Sequence, residues 1–194
     1  RVLFRSKSLF PQWNDVQWQE LKGNSTYAGM RTQYQDPTKL GADRWAALIG
    51  ARALSKKNTL IVNAGTATTI DLLGSNGVHY GGWILPGLGL MQSSLANNTA
   101  QLDLATRSEH HGFGVCTNDA IIGGCDAAQV GAILYGMQQA KEINIPVEKI
   151  WIDGGNAKTL AKEIAQSNLP AKEIAEVTEG LVLRGVWAWL LQNL

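Results

Sequence analysis

Residues 61–73 read IVNAGTATTIDLL. A greasy run stops at Asn63, and a small polar run follows, Gly65-Thr66-Ala67-Thr68-Thr69. Ile70-Asp71-Leu72-Leu73 then resumes the apolar pattern. Apolar segments on either side of a short glycine and threonine break predict two strands joined by a tight turn. Glycine lets the backbone approach a ligand. The turn's N–H groups and the threonine hydroxyls can hold phosphate oxygens. An aspartate just beyond, Asp71, can hold a metal or its water, or fix the turn. The same residues also suit a plain hairpin whose threonines serve β-propensity and solubility. The stretch alone leaves both readings open.

Working outward, Leu60–Val62, Ile70–Leu73 and Val78–Leu85 read as three strands, with a hairpin at Gly74-Ser75-Asn76-Gly77. Pro86-Gly87 ends the third, and a helix is expected over 88–97. Upstream, LGADRW (Leu40 to Trp45) opens a helix with Trp45, Leu48, Ile49 and Arg52 on one face. Asp43 stands near its start, where free N–H groups favour a carboxylate. Before that, 22–40 read as loops, Val16 to Leu21 as a short strand and 1–10 as the end of a helix. Downstream, 101–116 read as loop, and a long small-residue helix runs over 118–143 with Thr117 as N-cap. Lys149–Ile152 is a strand ended by Asp153-Gly154-Gly155, and helices follow over 156–167 and 177–192. The last, LVLRGVWAWLLQNL, is more apolar than one face needs. It is expected to pack against another domain or subunit. Strands first, then strand and helix in alternation, predict an α/β chain with a mixed sheet. The polar break at Lys56-Lys57-Asn58 divides it into 1–57 and 58–194.

The 194 residues are 45% hydrophobic, enough for a sizeable core. A net charge of +1 argues against a nucleic-acid partner. No apolar run of membrane-spanning length and no secretory pattern is expected from the sequence. Cys116 and Cys125 have no metal spacing and read as reduced thiols, which fits a cytoplasmic protein. The sequons at Asn24-Ser25-Thr26 and Asn97-Asn98-Thr99 are then chance matches.

Three further motifs each admit two readings. The two glycines of IDGG (Ile152 to Gly155) permit close approach of a flat or anionic group, or simply connect strand to helix. Neither this stretch nor the Gly65 turn is a P-loop or a G-x-G-x-x-G fingerprint. Asp43-Arg44 is a base beside an anion-binding guanidinium, or a capping aspartate with a surface ion pair. In GGWILPG (Gly81 to Gly87) the glycines mark tight backbone packing and Trp83 reads as core. His79 reads as structural, and His110-His111 as a solvated loop pair.

Taken in order, LGADRW, GTATTID, GGWILPGLGLMQSSL with TAQL after it, TNDAI and IDGG resemble the type III pantothenate kinases, which include the Bvg accessory factor proteins. The likeness covers Tyr34 to Gly155 in motif form and reaches the C-terminus through LVLRG. It implies the actin-like ATPase (acetate and sugar kinase–Hsp70–actin) fold, two ribonuclease H-like domains around a cleft. Residues 1–57 would then be the closing part of the first domain and 58–194 the second. It further implies phosphorylation of pantothenate by ATP, the first step of coenzyme A synthesis. A homodimer, with pantothenate near its interface, is implied as well. So are a divalent cation such as Mg2+ and a monovalent one, K+ or NH4+.

Residue by residue, the resemblance makes Asp43 the catalytic base for the pantothenate hydroxyl. Gly41, Ala42 and Arg44 complete the segment against pantothenate, with Tyr34 seven residues before Gly41 and Thr117 further on. Thr66, in the turn with Gly65 and Thr68, falls on the ATP phosphates, and Gly154 and Gly155 on the adenosine side. An aspartate is a weak base, so Asp43 would act by position. Phosphoryl transfer needs alignment and charge neutralisation more than covalent help. The Arg44 fork is read as the partner of pantothenate's carboxylate.

Two departures stand out. Where many members have an aspartate for the monovalent cation, this chain has Asn63, a neutral oxygen donor. The family's opening D-x-G-N-[ST] turn has no counterpart here, so the first domain is expected to be incomplete. A non-catalytic binding or regulatory protein of the same fold, and another actin-fold small-molecule kinase, are the competing readings.

Overall fold

The Gly65-Thr66 break is a turn in the computed structural model, which describes residues 19–98, 105 and 112–193. Strand β1 is Arg31–Thr32, and helix α1 spans Ala42–Leu54. Strand β2 (Thr59–Ala64) runs into the turn and β3 (Ala67–Leu73) leaves it antiparallel, with Ala64 opposite Thr68. The turn is thus shorter than expected: Ala67, Thr68 and Thr69 already belong to the ladder, where β-branched side chains pack well. A second turn through Gly77, at φ +78°, leads into β4 (Val78–Pro86).

Helix α2 (Leu88–Asn98) and helix α3 (Thr117–Glu142) follow, then β5 (Lys149–Asp153), α4 (Ala157–Gln166), β6 (Ala175–Val177) and α5 (Leu181–Gln192). The sheet order is β1-β4-β3-β2-β5-β6. Strands β2, β5 and β6 run parallel, β3 is antiparallel to both its neighbours, and β1 is parallel to β4. The sheet is mixed, as expected.

Strand alternation divides the core. Ile61, Leu73 and Trp151 face Trp45, Leu48 and Ile49 of α1 and Leu181 of α5. Leu60, Val62, Ile70, Ile150 and Ile152 face the other way, against Val130 and Ile133 of α3 and Leu160 and Ile164 of α4. Leu48 and Ile49 are fully buried, each contributing about 1.5–3 kcal/mol. Helix α1, before the expected boundary at Lys57, packs on α5 and on strands that follow it.

Helices α1 and α5 meet backbone to backbone. A Cβ on Gly185 would fall on the Ala46 carbonyl, and one on Gly50 would fall on the Leu181 carbonyl. Leu181 is the first residue of α5, and its N–H donates to Asp153 Oδ2 at 2.6 Å, so the tip of β5 holds the helix start.

Several expectations need correction. The final helix begins at Leu181 because Gly180 takes a left-handed conformation (φ +70°), and residues 175–177 extend the sheet. Residues 19–21 form no strand, though Leu21 is buried in the core. Thr117 is the first helical residue and Cys116 is the N-cap. Trp83 is 38% exposed and stacks on Tyr135; among the described residues, β1 pairs only with Val78 and His79 of β4 on that side. Helix α3 is long and apolar enough to cross a membrane by length and composition, which the sequence reading missed; it packs on β2 and β3. The expectations for 1–10, Val16, Thr99–Leu102 and His110-His111 lie outside the described residues.

Candidate active site

The predicted residues fall into three groups. The first lies where β2 meets β3. Thr66 is exposed and Gly65 half-buried, while Thr68 is buried beneath the ladder. Two neighbouring loops hold this turn. Gly87 N–H donates to the Thr66 carbonyl, and a Cβ on Gly87 would fall on the Gly65 carbonyl. Asn156 N–H donates to the Ala64 carbonyl at 2.9 Å. Gly154 is at φ +102°, and a Cβ there would stand 2.7 Å from the Ala64 carbonyl and 2.8 Å from Asn63 Oδ1. Only glycine fits both the conformation and the space. Gly154 and Gly155 are exposed beside the turn, as a ligand-facing loop requires. Gly87 and Asn156 were not singled out as supports; Pro86-Gly87 and the asparagine before a helix were the available signals.

The second group surrounds the start of α1. Asp43 is exposed in the first helical turn, and its Oδ1 accepts the Arg44 N–H at 2.8 Å. A Cβ on Gly41 would stand 2.6 Å from that oxygen, so glycine keeps the carboxylate uncovered. Arg44 turns inward and is 6% exposed. Its Nε donates to Asp71 Oδ2 at 3.0 Å and its Nη2 to Asp71 Oδ1 at 2.5 Å. Its Nη1 donates to the Tyr34 hydroxyl at 2.6 Å. Burial pulls the guanidinium's pKa down, but Asp71, by hydrogen bond and charge, and then Tyr34 outweigh it, and the group ends above its ordinary value.

This arrangement corrects two expectations. Asp71 is 2% exposed and bound in a bidentate ion pair, so it is neither at the turn nor open to a metal. The Arg44 fork expected for an external carboxylate is engaged by an internal one. His79, expected to be structural, is fully buried and bonds Asp71 through Nε2 and Thr32 through Nδ1, both at 2.9 Å. Gly82 is required here, because a Cβ would fall on Asp71 Oδ1 and the Ile70 carbonyl.

The third group is Thr117 alone. It is exposed at the start of α3, whose later turns pack on the sheet face opposite Arg44, and lines an apolar cleft of about 800 Å³ with Pro86, Leu90, Met91 and Ile121. The chain does not bring Thr117 to Asp43. Among the described residues no group of three His, Cys, Asp or Glu could hold a metal ion.

A family model for type III pantothenate kinase matches residues 1–139. The chain belongs to that family. The type III pantothenate kinase of Aromatoleum aromaticum is 41% identical over 176 residues, covering 91% of this chain and 66% of the relative. That of Janthinobacterium sp. (strain Marseille) is 48% identical over 142 residues, 71% of this chain and 54% of the relative. The chain thus spans two thirds or less of these relatives' lengths.

Among solved structures, a Baf-family protein of Campylobacter jejuni superposes with a TM-score of 0.56 at 26% identity, over 84% of this chain and 68% of that one. The Alp12 filament protein superposes at 0.52 with 12% identity, over 76% and 51%, a likeness of fold alone. The chain thus shares its fold with both proteins.

Proposed function

We infer that the protein transfers the terminal phosphoryl group of ATP to the hydroxyl of pantothenate. The observation that carries this reading is the exposed Asp43 carboxylate, held at the start of α1 above the buried Arg44–Asp71 pair, in a chain of this family. Asp43 accepts the hydroxyl proton as the new oxygen–phosphorus bond forms. Tyr34 and the Gly41–Arg44 segment hold pantothenate. The Thr66 hydroxyl and the Gly65 turn take the phosphates, and Gly154 and Gly155 admit the nucleoside. Buried Thr68 supports the turn from below.

A divalent ion such as Mg2+ usually arrives with the nucleotide phosphates and takes one or two protein carboxylates. The described residues suit that mode better than a protein cage. It would neutralise developing charge on the transferred group. Asn63, beside Gly154, offers a neutral amide oxygen to K+ or NH4+.

The reading also takes the working unit to be a cytoplasmic homodimer, with the boundary between ribonuclease H-like domains at Lys57 and α1 closing the first. Thr117, on the helix packed against the far face of the sheet, would then serve the site of a second copy.

The test is ADP release that requires both ATP and pantothenate, with Asp43→Asn as control. Turnover in the wild type and a loss of at least 100-fold in Asp43→Asn are expected, from the usual scale of general-base catalysis, about 10²–10⁴-fold. Nucleotide and pantothenate binding without turnover would overturn the enzyme reading in favour of a binding protein. Phosphorylation of a different small alcohol would overturn the substrate.

A further inference from the structure

We propose that His79, together with Asp71, is a positioning residue for substrate: it fixes Tyr34 so that the tyrosine hydroxyl, its oxygen already bonded by Arg44, presents its proton to an acceptor oxygen on the bound molecule. The inference deepens the pantothenate reading and rests on it.

The Tyr34 N–H donates to Thr32 Oγ1 at 3.1 Å. The Thr32 hydroxyl keeps a second lone pair and its own proton, so its bond to His79 Nδ1, 2.9 Å away, takes its direction from the imidazole. An ionised Asp71 carboxylate only accepts, so His79 Nε2 carries a proton and donates it to Asp71 Oδ1, and a neutral imidazole then accepts the Thr32 proton at Nδ1. Asp71 thereby accepts from His79 once and from Arg44 twice, and an ionised carboxylate accepts only. Arg44 has no acceptor atom, so its Nη1 must donate to the Tyr34 oxygen. The Tyr34 proton is left free to point away from the cluster.

Packing reinforces the direction. The Tyr34 ring stacks on the His79 ring at 5.7 Å between centroids with 25° between planes, and the Arg44 guanidinium carbon lies 5.5 Å from the Tyr34 centroid. His79 therefore holds both ends of Tyr34, its backbone through Thr32 and its hydroxyl through Asp71 and Arg44. Tyr34 itself is only half-buried, so its hydroxyl is the outlet of an otherwise enclosed circuit. A ligand carbonyl or carboxylate oxygen suits such a donor.

The test is calorimetric binding of pantothenate and of ATP, each alone, to the full chain and to His79→Leu, His79→Gln, Tyr34→Phe and the double variant His79→Leu/Tyr34→Phe. His79→Leu should weaken pantothenate binding about tenfold, the scale of one lost hydrogen bond to a neutral group. ATP affinity should stay within about twofold, since Tyr34 and the nucleotide loops share no bond. His79→Gln, which keeps a donor for Asp71, should recover most of the loss. The double variant should bind pantothenate no worse than Tyr34→Phe, because His79 acts through Tyr34.

Additive losses in the double variant, or equal losses for both ligands, would overturn the proposal and make His79 a packing residue. If His79→Leu does not fold, His79→Gln and Tyr34→Phe decide: unchanged pantothenate affinity in Tyr34→Phe overturns it. Wild-type protein that binds ATP but no pantothenate overturns the substrate reading, and this inference with it.

Discussion

Asp71 is the residue whose role the sequence concealed. Local pattern pointed to the adjacent turn, but its partner Arg44 lies 27 positions away on another element, beyond the reach of helix or strand periodicity. Breaking a buried ion pair from one side strands the other charge, and Asp71→Ala should lower stability by about 3–5 kcal/mol. Asp71→Ala with Arg44→Met should recover part of that loss, measured by urea unfolding. Cys125 gives a pH prediction. Burial, with the charge of Asp126, pushes its thiol pKa up. The unfolded chain therefore ionises first, so stability is intact below the ordinary thiol range and falls as pH rises through it. Cys125→Ala should flatten that part of the profile. In the folded protein, exposed Cys116 should react with an alkylating reagent well before Cys125.

Among the elements, β2, β3, β4 and α1 were legible because each carries an unbroken period and a marked end: Asn58, the Gly65 turn, Gly77 and Pro86. Strand β6 was not, since three residues, Ala175–Val177, are too few to show a period, and it forms because β5 offers an edge. The crossing of α1 and α5 was equally hidden; Gly50 and Gly185 look like weak points in good helices. Their value lies in what they let approach. Gly185→Ala should lower stability by about 1–3 kcal/mol, the usual cost of overpacking, towards the upper end because backbone is struck and cannot rotate away. Thermal unfolding of that variant against an exposed helical control, Gly131→Ala, checks this, since a Cβ on Gly131 meets nothing nearby.

On the scale of the molecule, the family's order of motifs was readable while the arrangement of the groups was not. No spacing rule indicates that the helices carrying Thr117 and Asp43 pack on opposite faces of one sheet. The homodimer reading turns this into a mixing experiment. Asp43→Asn and Thr117→Arg, each inactive alone, should regain turnover when co-expressed, because a mixed dimer has one site free of both changes. Two sites built each within one chain would give no recovery. The contact of α5 with α1 carries a last consequence. At one end α5 is latched to Asp153, next to the glycines proposed for the nucleoside; along its length it lies against the helix that presents Asp43. Where Gly50 and Gly185 let main chain meet main chain, no side chain stands between to yield, and α5 works as a calliper arm. The distance between Asp43 and the loop proposed for the nucleoside is thereby gauged by a rod of main chain.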